Sequence, residues 1–264
     1  MLRKTFERVV RKSLALGLPR FDYDFKIDLA QLILRDCGFG SGAPLADSNE
    51  EAVFDLVKSE KPVLFDVGAH TGEYTLLFKS RFKDGRVYCF EPSQLHFDRL
   101  VAATEQLSDV TRLRSALGKA EGEATLYRDQ AISGLASFTK RRLDHYSIAM
   151  DIEESVKVTT LDRFVQENRI EKIDLLKIDV EGHELDVLHG AEQTLGAGRI
   201  AVVQFEFGGC NLDTRTNFQD FFYFFTVRHD FRMFIVTRHG LKPIGSYKEI
   251  YEQYRTTNFV AVRA

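Results

Sequence analysis

The chain has 264 residues, of which 44% are hydrophobic, and a formal net charge of −3 at pH 7. This length and hydrophobic content allow one large domain with a sizeable core, and the charge argues against non-specific nucleic-acid binding as the main activity. The three cysteines (Cys37, Cys89 and Cys210) are too widely spaced for a metal motif, and their odd number gives no disulfide framework. No apolar run approaches the roughly 20 residues that span a bilayer, so we expect a soluble protein of the reducing cytoplasm.

Residues 1–58 are expected to form a helical extension, followed by one domain over residues 59–264. Residues 1–20 carry six basic side chains and one acidic side chain, with apolar residues near helical spacing. Such a basic amphipathic helix can lie on an anionic membrane or dock on a partner, or it can be a solvated helix that packs on the domain.

From residue 61 onward strands alternate with helical patterns, which is typical of a parallel sheet flanked by helices. Helices are expected at 28–34 and 49–57, a hairpin between 123–127 and 155–158, and strands at 62–67, 86–91, 111–117, 173–179, 200–207, 231–237 and 257–263. The polar segment 128–155 is a long insertion near the carboxyl edge of the sheet. We therefore expect it to form a lid over a ligand.

The stretch from Val63 to Tyr74 predicts a buried strand, a glycine turn and the start of a helix. Gly68 and Gly72 allow a ligand to lie against the main chain, and Glu91 ends the next apolar run, where nucleoside-binding folds place a ribose-binding carboxylate. The turn lacks the third glycine of dinucleotide folds and the Gly-Lys-Ser/Thr of phosphate loops. With Asp66 beside it, the turn favours a cationic, phosphate-free nucleoside such as S-adenosylmethionine. The alternative is an ordinary turn that needs glycine for packing.

A second cluster lies in the apolar strand between Lys172 and Glu184. Lys177, Asp179 and Glu181 alternate along it and therefore point to one face until the strand ends. A buried charge is costly unless it is paired. We expect Lys177 to pair with Asp66 on the neighbouring first strand, and the two acids to emerge at the carboxyl edge.

The turn after this strand supplies candidates for a general base. A hydroxyl accepts a methyl group when a base takes its proton, and the predicted catalytic residues are Asp179, Glu181, His183 and Glu206. The pKa of a histidine lies nearest neutrality, so His183 is the first candidate. The alternative is that Glu181 caps the next helix and His183 is a surface residue.

Glu206 ends the following strand and is expected beside Asp179 at the same edge. Together with Asn211 or Asp213, these acids could hold a divalent cation, or they could orient the hydroxyl groups of an acceptor. We assign no metal to them.

With both clusters placed, the chain resembles the FkbM-type family of S-adenosylmethionine-dependent methyltransferases over roughly residues 60–240. The resemblance rests on the motifs at 65–74, 90–92 and 158–162 and, most specifically, on Leu-Lys-Ile-Asp-Val-Glu-Gly-His-Glu at 176–184. It implies a Rossmann-like class I methyltransferase fold: an α/β structure whose seven-stranded, mostly parallel sheet has an antiparallel last strand and helices on both faces. It also implies O-methylation of a sugar, a glycan or a natural-product hydroxyl.

The expected cofactor is S-adenosylmethionine. Asp66, Gly68, Ala69 and Gly72 would line its methionine part, Glu91 would bind both ribose hydroxyls, and Ser115 and Ala116 would approach the adenine. The full set of predicted cofactor-binding residues is Asp66, Gly68, Ala69, His70, Gly72, Tyr74, Glu91, Pro92, Ser115, Ala116 and Asp179.

Two other functions stay open from the sequence. Another nucleoside-dependent enzyme, such as a reductase, could use the same sheet, although the missing third glycine counts against it. A non-catalytic module that binds a nucleoside or a protein is the other alternative. Retention of Glu91 with Asp179, Glu181 and His183 counts against that alternative.

Overall fold

The computed structural model describes residues 17–18, 21–42, 48–131 and 133–264. All six basic residues of the expected amphipathic helix in residues 1–20 lie outside these ranges, so its membrane or partner contact stays a prediction. None of the helices within the described ranges is long and apolar enough to cross a membrane.

The described strands form two sheets. They are β1 Val63–Val67, β2 Arg86–Phe90, β3 Val110–Leu113, β4 Ala116–Leu117, β5 Gly122–Arg128, β6 Ile152–Thr159, β7 Ile173–Ile178, β8 Ile200–Phe207, β9 Phe231–Thr237, β10 Gly240–Ile244 and β11 Thr257–Arg263. The main sheet has eight strands in the order β10-β9-β11-β8-β7-β1-β2-β3, and the small sheet has the order β4-β6-β5.

The main sheet confirms the predicted alternation, with two differences. Strands β8, β7, β1, β2 and β3 are parallel, and β11 is antiparallel to both of its neighbours, as expected of the last strand. The predicted number of seven strands is wrong, because β10 adds an eighth at the edge. Its sequence, Gly-Leu-Lys-Pro-Ile, is not an apolar run, and a proline is tolerated on an edge strand.

The small sheet flanks the insertion, which joins β5 to β6. The expected hairpin is confirmed as the antiparallel pair β5 and β6. The strand expected at 111–117 divides instead into β3, in the main sheet, and β4, which pairs with β6.

Helices lie on both faces of the main sheet, although the first of them buries no residue. They are α1 Tyr23–Asp36, α2 Glu73–Arg81, α3 Gln94–Thr104, α4 Leu161–Glu167, α5 Glu184–His189, α6 Glu192–Gly196, α7 Cys210–Thr214 and α8 Phe218–Tyr223. On one face Phe218 and Phe221 of α8 pack on phenylalanines of β8 and β11. On the other face Phe54 packs edge-on against Tyr74 and Phe78 of α2. Phe54 lies in a 3₁₀ turn, Glu50–Leu56, where the sequence predicts a helix.

Candidate active site

A cavity of about 480 Å³ opens at the carboxyl ends of β1, β2, β7 and β8. The glycine turn and the residues after β2 form one side of it, and the ends of β7 and β8 form the other. Residues 133–138 of the insertion line the cavity as well. The insertion therefore lies where the sequence places a lid, and its closure over a ligand stays a prediction.

The glycine turn after β1 is held between the two neighbouring strands. Gly68 has a φ of +80°, and a Cβ there would lie 1.8 Å from the carbonyl oxygen of Asp179. The N–H groups of Gly68 and Ala69 donate to the carbonyl of Phe90 on the other side. Gly68 is thus required by a close backbone approach. Gly72, by contrast, packs on Leu100 of α3 and does not line the cavity.

Glu91, directly after β2, is the fixed carboxylate of this side. It is buried, and its two oxygens accept hydrogen bonds from the backbone N–H groups of His70 and Ser93, each at 2.9 Å. His96 Nδ1 lies 3.5 Å from the same carboxylate. A carboxylate offers about four acceptor positions. Glu91 therefore keeps capacity for further donors in the cavity.

The ion pair predicted between Lys177 and Asp66 is wrong. The strand register does place them side by side, but Lys177 Nζ lies 2.9 Å from Asp179 and 3.8 Å from Glu50. Asp66 instead accepts a hydrogen bond of 2.6 Å from the Thr75 hydroxyl. Burial is the main cause that raises the pKa of Asp66 to about 6.

Glu50 reaches the cavity from the N-terminal segment, and sequence reasoning missed it. Its carboxylate accepts hydrogen bonds from the Ser48 hydroxyl at 2.8 Å and from the Gln204 side-chain amide. The Tyr74 hydroxyl donates to the same amide group at 2.6 Å. Burial raises the pKa of Glu50, and Lys177 opposes that rise. A glutamate in the polar stretch before a short apolar segment carries no signal of these contacts.

Three carboxylates meet on the other side of the cavity. Oxygens of Asp179, Glu181 and Glu206 lie within 4.8 Å of one another, so the structure brings together three of the four predicted catalytic residues. Burial, followed by the charge of Asp179, raises the pKa of Glu181 to about 8. The same two causes raise the pKa of Glu206 well above its ordinary value.

Arg141 joins the insertion to this group, and its role has no signature in the sequence. Its guanidinium donates to Glu181 at 2.7 Å and lies 3.4 Å from Asp213. The backbone of Glu181 has a φ of +53°, and Gly182 follows at +105°. A non-glycine residue in this region marks a constrained turn. The turn directs the Glu181 side chain toward Arg141 and the cavity.

His183 faces away from the three carboxylates. Its Nδ1 lies 2.9 Å from Asp186, its Nε2 lies 3.0 Å from the Thr139 hydroxyl, and the residue does not line the cavity. Its role as the base stays a prediction. The two residues expected to complete a cation site are also engaged elsewhere: Asp213 binds Arg141, and Asn211 accepts the N–H of Gly208.

The predicted cofactor-binding residues also divide into those that line the cavity and those that do not. Those that line the cavity are Asp66, Gly68, Ala69, His70, Tyr74, Glu91, Pro92, Ala116 and Asp179, whereas Gly72 and Ser115 do not. His70 Nε2 is buried and has no hydrogen-bond partner within the described residues.

The charge of the cavity is strongly unbalanced. Its described lining contains seven carboxylates and two cations: Glu50, Asp66, Glu73, Glu91, Asp179, Glu181 and Glu206 against Arg141 and Lys177. An excess of negative charge favours a cationic ligand and disfavours a pyrophosphate. The sulfonium and the ammonium of S-adenosylmethionine would fit a cavity lined by these acidic groups.

Residues 66–233 match the family model of the methyltransferase FkbM domain. Among curated proteins, the chain is 26% identical over 150 residues to the hexuronic acid methyltransferase AglP of Haloferax volcanii, a match that covers 56% of this chain and 58% of that protein. It is 26% identical over 165 residues to the 2-O-methyltransferase NoeI of Sinorhizobium fredii, covering 58% of this chain and 67% of NoeI.

Among solved structures, the chain is similar to an FkbM methyltransferase from Methylobacillus flagellatus. The TM-score is 0.47 at 16% identity, and the match covers 77% of this chain and 44% of that one.

Proposed function

Because the chain belongs to the FkbM methyltransferase family, we propose that it uses S-adenosylmethionine to methylate a hydroxyl group of a sugar or glycan. The observation that carries the proposal is the acidic cavity, which combines a fixed carboxylate after β2 with three carboxylates at the ends of β7 and β8. The curated relatives named for a hexuronic acid and for 2-O-methylation support a sugar acceptor.

The cofactor would be held on the side of the glycine turn. Glu91 would accept hydrogen bonds from the ribose hydroxyls, because both of its oxygens are already oriented by backbone N–H groups. Gly68 and Ala69 would lie along the methionine part, and Pro92 and Ala116 near the adenine. When bound, S-adenosylmethionine supplies a methyl group on a positively charged sulfur.

Glu181 is the general base in this proposal. Its oxygens lie in the three-carboxylate group, and its pKa of about 8 matches a base that takes a hydroxyl proton near neutral pH. Glu206, whose pKa is raised well above its ordinary value by burial and by the charge of Asp179, would donate a hydrogen bond to the acceptor in its protonated form.

Arg141 would link the insertion to this chemistry. It is buried in the cavity wall, and its positive charge lowers the pKa of Glu181 against the effect of burial. The Ser137 hydroxyl also donates to the backbone carbonyl of Glu181, at 2.7 Å. A closed insertion would therefore position Glu181 and keep part of it ionised, as a lid that completes the site.

Calorimetry and methyl transfer test the proposal together. The wild-type protein should bind S-adenosylmethionine and S-adenosylhomocysteine but not NADH, and tritium from labelled S-adenosylmethionine should appear in saccharides from a panel of neutral and acidic sugars. Glu91→Ala removes the proposed ribose-binding carboxylate together with its hydrogen bonds from His70 and Ser93, so its fold is checked by circular dichroism. Binding of NADH in place of S-adenosylmethionine would refute the proposal, and S-adenosylmethionine binding that Glu91→Ala leaves unchanged would remove Glu91 from the site.

A further inference from the structure

A second cleft, of about 510 Å³, lies between α1 and the segment that leads into β11. Its lining consists of Asp28, Gln31, Leu32, Arg35, Phe39, Gly40, Arg255 and Thr256. All of these residues fall outside positions 66–233, which match the family model. The cleft is therefore built by the two flanking segments of the chain.

The cleft adjoins the acidic cavity through Thr256, which lines both of them. The backbone carbonyl of Thr256 accepts the N–H of Gly42 at 2.8 Å. A Cβ on Gly42 would lie 2.9 Å from that carbonyl oxygen, and a Cβ on Gly208 would lie 3.1 Å from the Thr256 backbone. Thr256 thus packs between Gly42 and Gly208 and separates the second cleft from the acidic cavity.

The charge of the cleft is opposite to that of the cavity. Among the described residues of the lining, Arg35 and Arg255 supply two positive charges and Asp28 supplies one negative charge. Within the described ranges, neither guanidinium has a hydrogen-bond or ion-pair partner. Arg255 lies along Gly40, with its Nη1 3.9 Å from the position of a Cβ there.

We propose that this cleft is the subsite for an anionic group on an extended saccharide acceptor. Guanidinium groups bind carboxylates and phosphates through paired hydrogen bonds, whereas the net negative charge of the adjoining cavity repels such a group. The neutral hydroxyl of the acceptor would enter the acidic cavity while its anionic group stays with Arg35 and Arg255. The inference rests on the proposed function and gives its acceptor a chemical class, an acidic saccharide.

The test measures binding of three probes to the full-length protein saturated with S-adenosylhomocysteine. Trigalacturonic acid carries carboxylates, a phosphorylated maltotriose carries phosphate, and maltotriose is neutral. The double variant Arg35→Gln/Arg255→Gln is compared with wild type and with Arg99→Gln, an exposed arginine on α3. Each single variant, with its thermal unfolding and circular dichroism, shows whether α1 stays folded, since Arg35 lies in its last turn.

We expect wild type and Arg99→Gln to bind at least one anionic probe more tightly than maltotriose. The double variant should lose about tenfold or more of that affinity, and added salt should weaken wild type more than the double variant. Which of the two anionic probes binds more tightly shows whether the cleft prefers a carboxylate or a phosphate. Affinity for S-adenosylhomocysteine should be the same in all variants.

Two results would overturn the inference: equal affinity of the double variant and wild type for the anionic probes, or no binding of either anionic probe by wild type at millimolar concentration. Failure of the proposed function gives a different pattern. In that case S-adenosylhomocysteine would not bind wild type, while arginine-dependent binding of an anionic probe would persist.

Discussion

The two sides of the acidic cavity are built in different ways. The side near the glycine turn comes from residues 66–96, and its central carboxylate, Glu91, is held by the backbone N–H groups of His70, in the glycine turn, and of Ser93. The opposite side draws on separate segments that contribute Glu50, Arg141, Glu181 and Glu206. Its members are joined by ion pairs and by shared burial.

This difference predicts different sensitivities. Hydrogen bonds from backbone N–H groups to a carboxylate depend on local chain geometry, so the glycine-turn side should respond mainly in cofactor affinity. The interactions of the buried acids with one another and with Lys177 and Arg141 depend on which acid carries a proton. The opposite side should therefore respond in turnover and in its pH dependence. The predictions that follow test this separation.

The largest effect is expected from Glu181→Gln. The amide keeps the shape but cannot take a proton, so single-turnover methyl transfer should fall about a hundredfold or more. The rise of the rate with pH through about 8 should also disappear, while S-adenosylmethionine affinity changes little. His183→Ala is measured beside it across pH 6 to 9. A larger loss in His183→Ala than in Glu181→Gln would assign the base to the histidine instead.

The next effect is expected from Glu91→Gln. It replaces a charged acceptor by a neutral one, and a charge-assisted hydrogen bond contributes about 1.5–3 kcal/mol. Affinity for S-adenosylmethionine should therefore fall about ten- to a hundredfold, as calorimetry would show. The rate at saturating cofactor should change far less. If Glu91→Gln lost all activity even at saturating S-adenosylmethionine, the proposal that this side of the cavity acts mainly in cofactor binding would be wrong.

A smaller effect is expected from Arg141→Gln. The guanidinium lowers the pKa of Glu181, so its removal raises that pKa and leaves less of the base ionised at neutral pH. The rising limb of the pH–rate profile should move to higher pH, with activity recovering in alkaline buffer. Arg142→Gln, at the exposed neighbouring arginine, is the control. A uniform loss at every pH would mean that Arg141 acts by packing alone.

The smallest effect concerns stability and Asp66. Its folded pKa of about 6 exceeds the ordinary 3.8, so the folded state holds the extra proton, and this stabilisation is lost as pH rises from about 4 through 6. Asp66→Asn should remove that dependence. Relative to wild type, its free energy of unfolding should rise by about 1–3 kcal/mol between pH 4 and pH 7. Denaturant unfolding measures this, with exposed Asp84→Asn as the control; parallel curves for Asp66→Asn and wild type would contradict it.

The elements with strong local signals were predictable. Strands β8, β9 and β11 have the expected bounds, because each is a long apolar run. The boundary between β3 and β4 was not predictable, since residues 111–117 contain no glycine or proline to mark a break, and only the pairing of β4 with β6 separates the two strands. The helix predicted at 28–34 is shorter than α1, which spans Tyr23–Asp36. No residue of α1 is buried, so its ends are not marked by an apolar face that packs in the core.

The sequence by itself determined the glycine turn, Glu91 and the acids at the ends of β7 and β8, because strand ends and turn glycines are local features. Only the tertiary structure decided the rest of the site. Lys177 binds Asp179 and Glu50 rather than Asp66, and Arg141 reaches Glu181 from 40 residues away. Such pairs depend on which distant segments the fold brings within a few ångströms, and on how deeply it buries them. The spacing of residues along the chain predicts neither which distant segments come into contact nor how deeply they are buried.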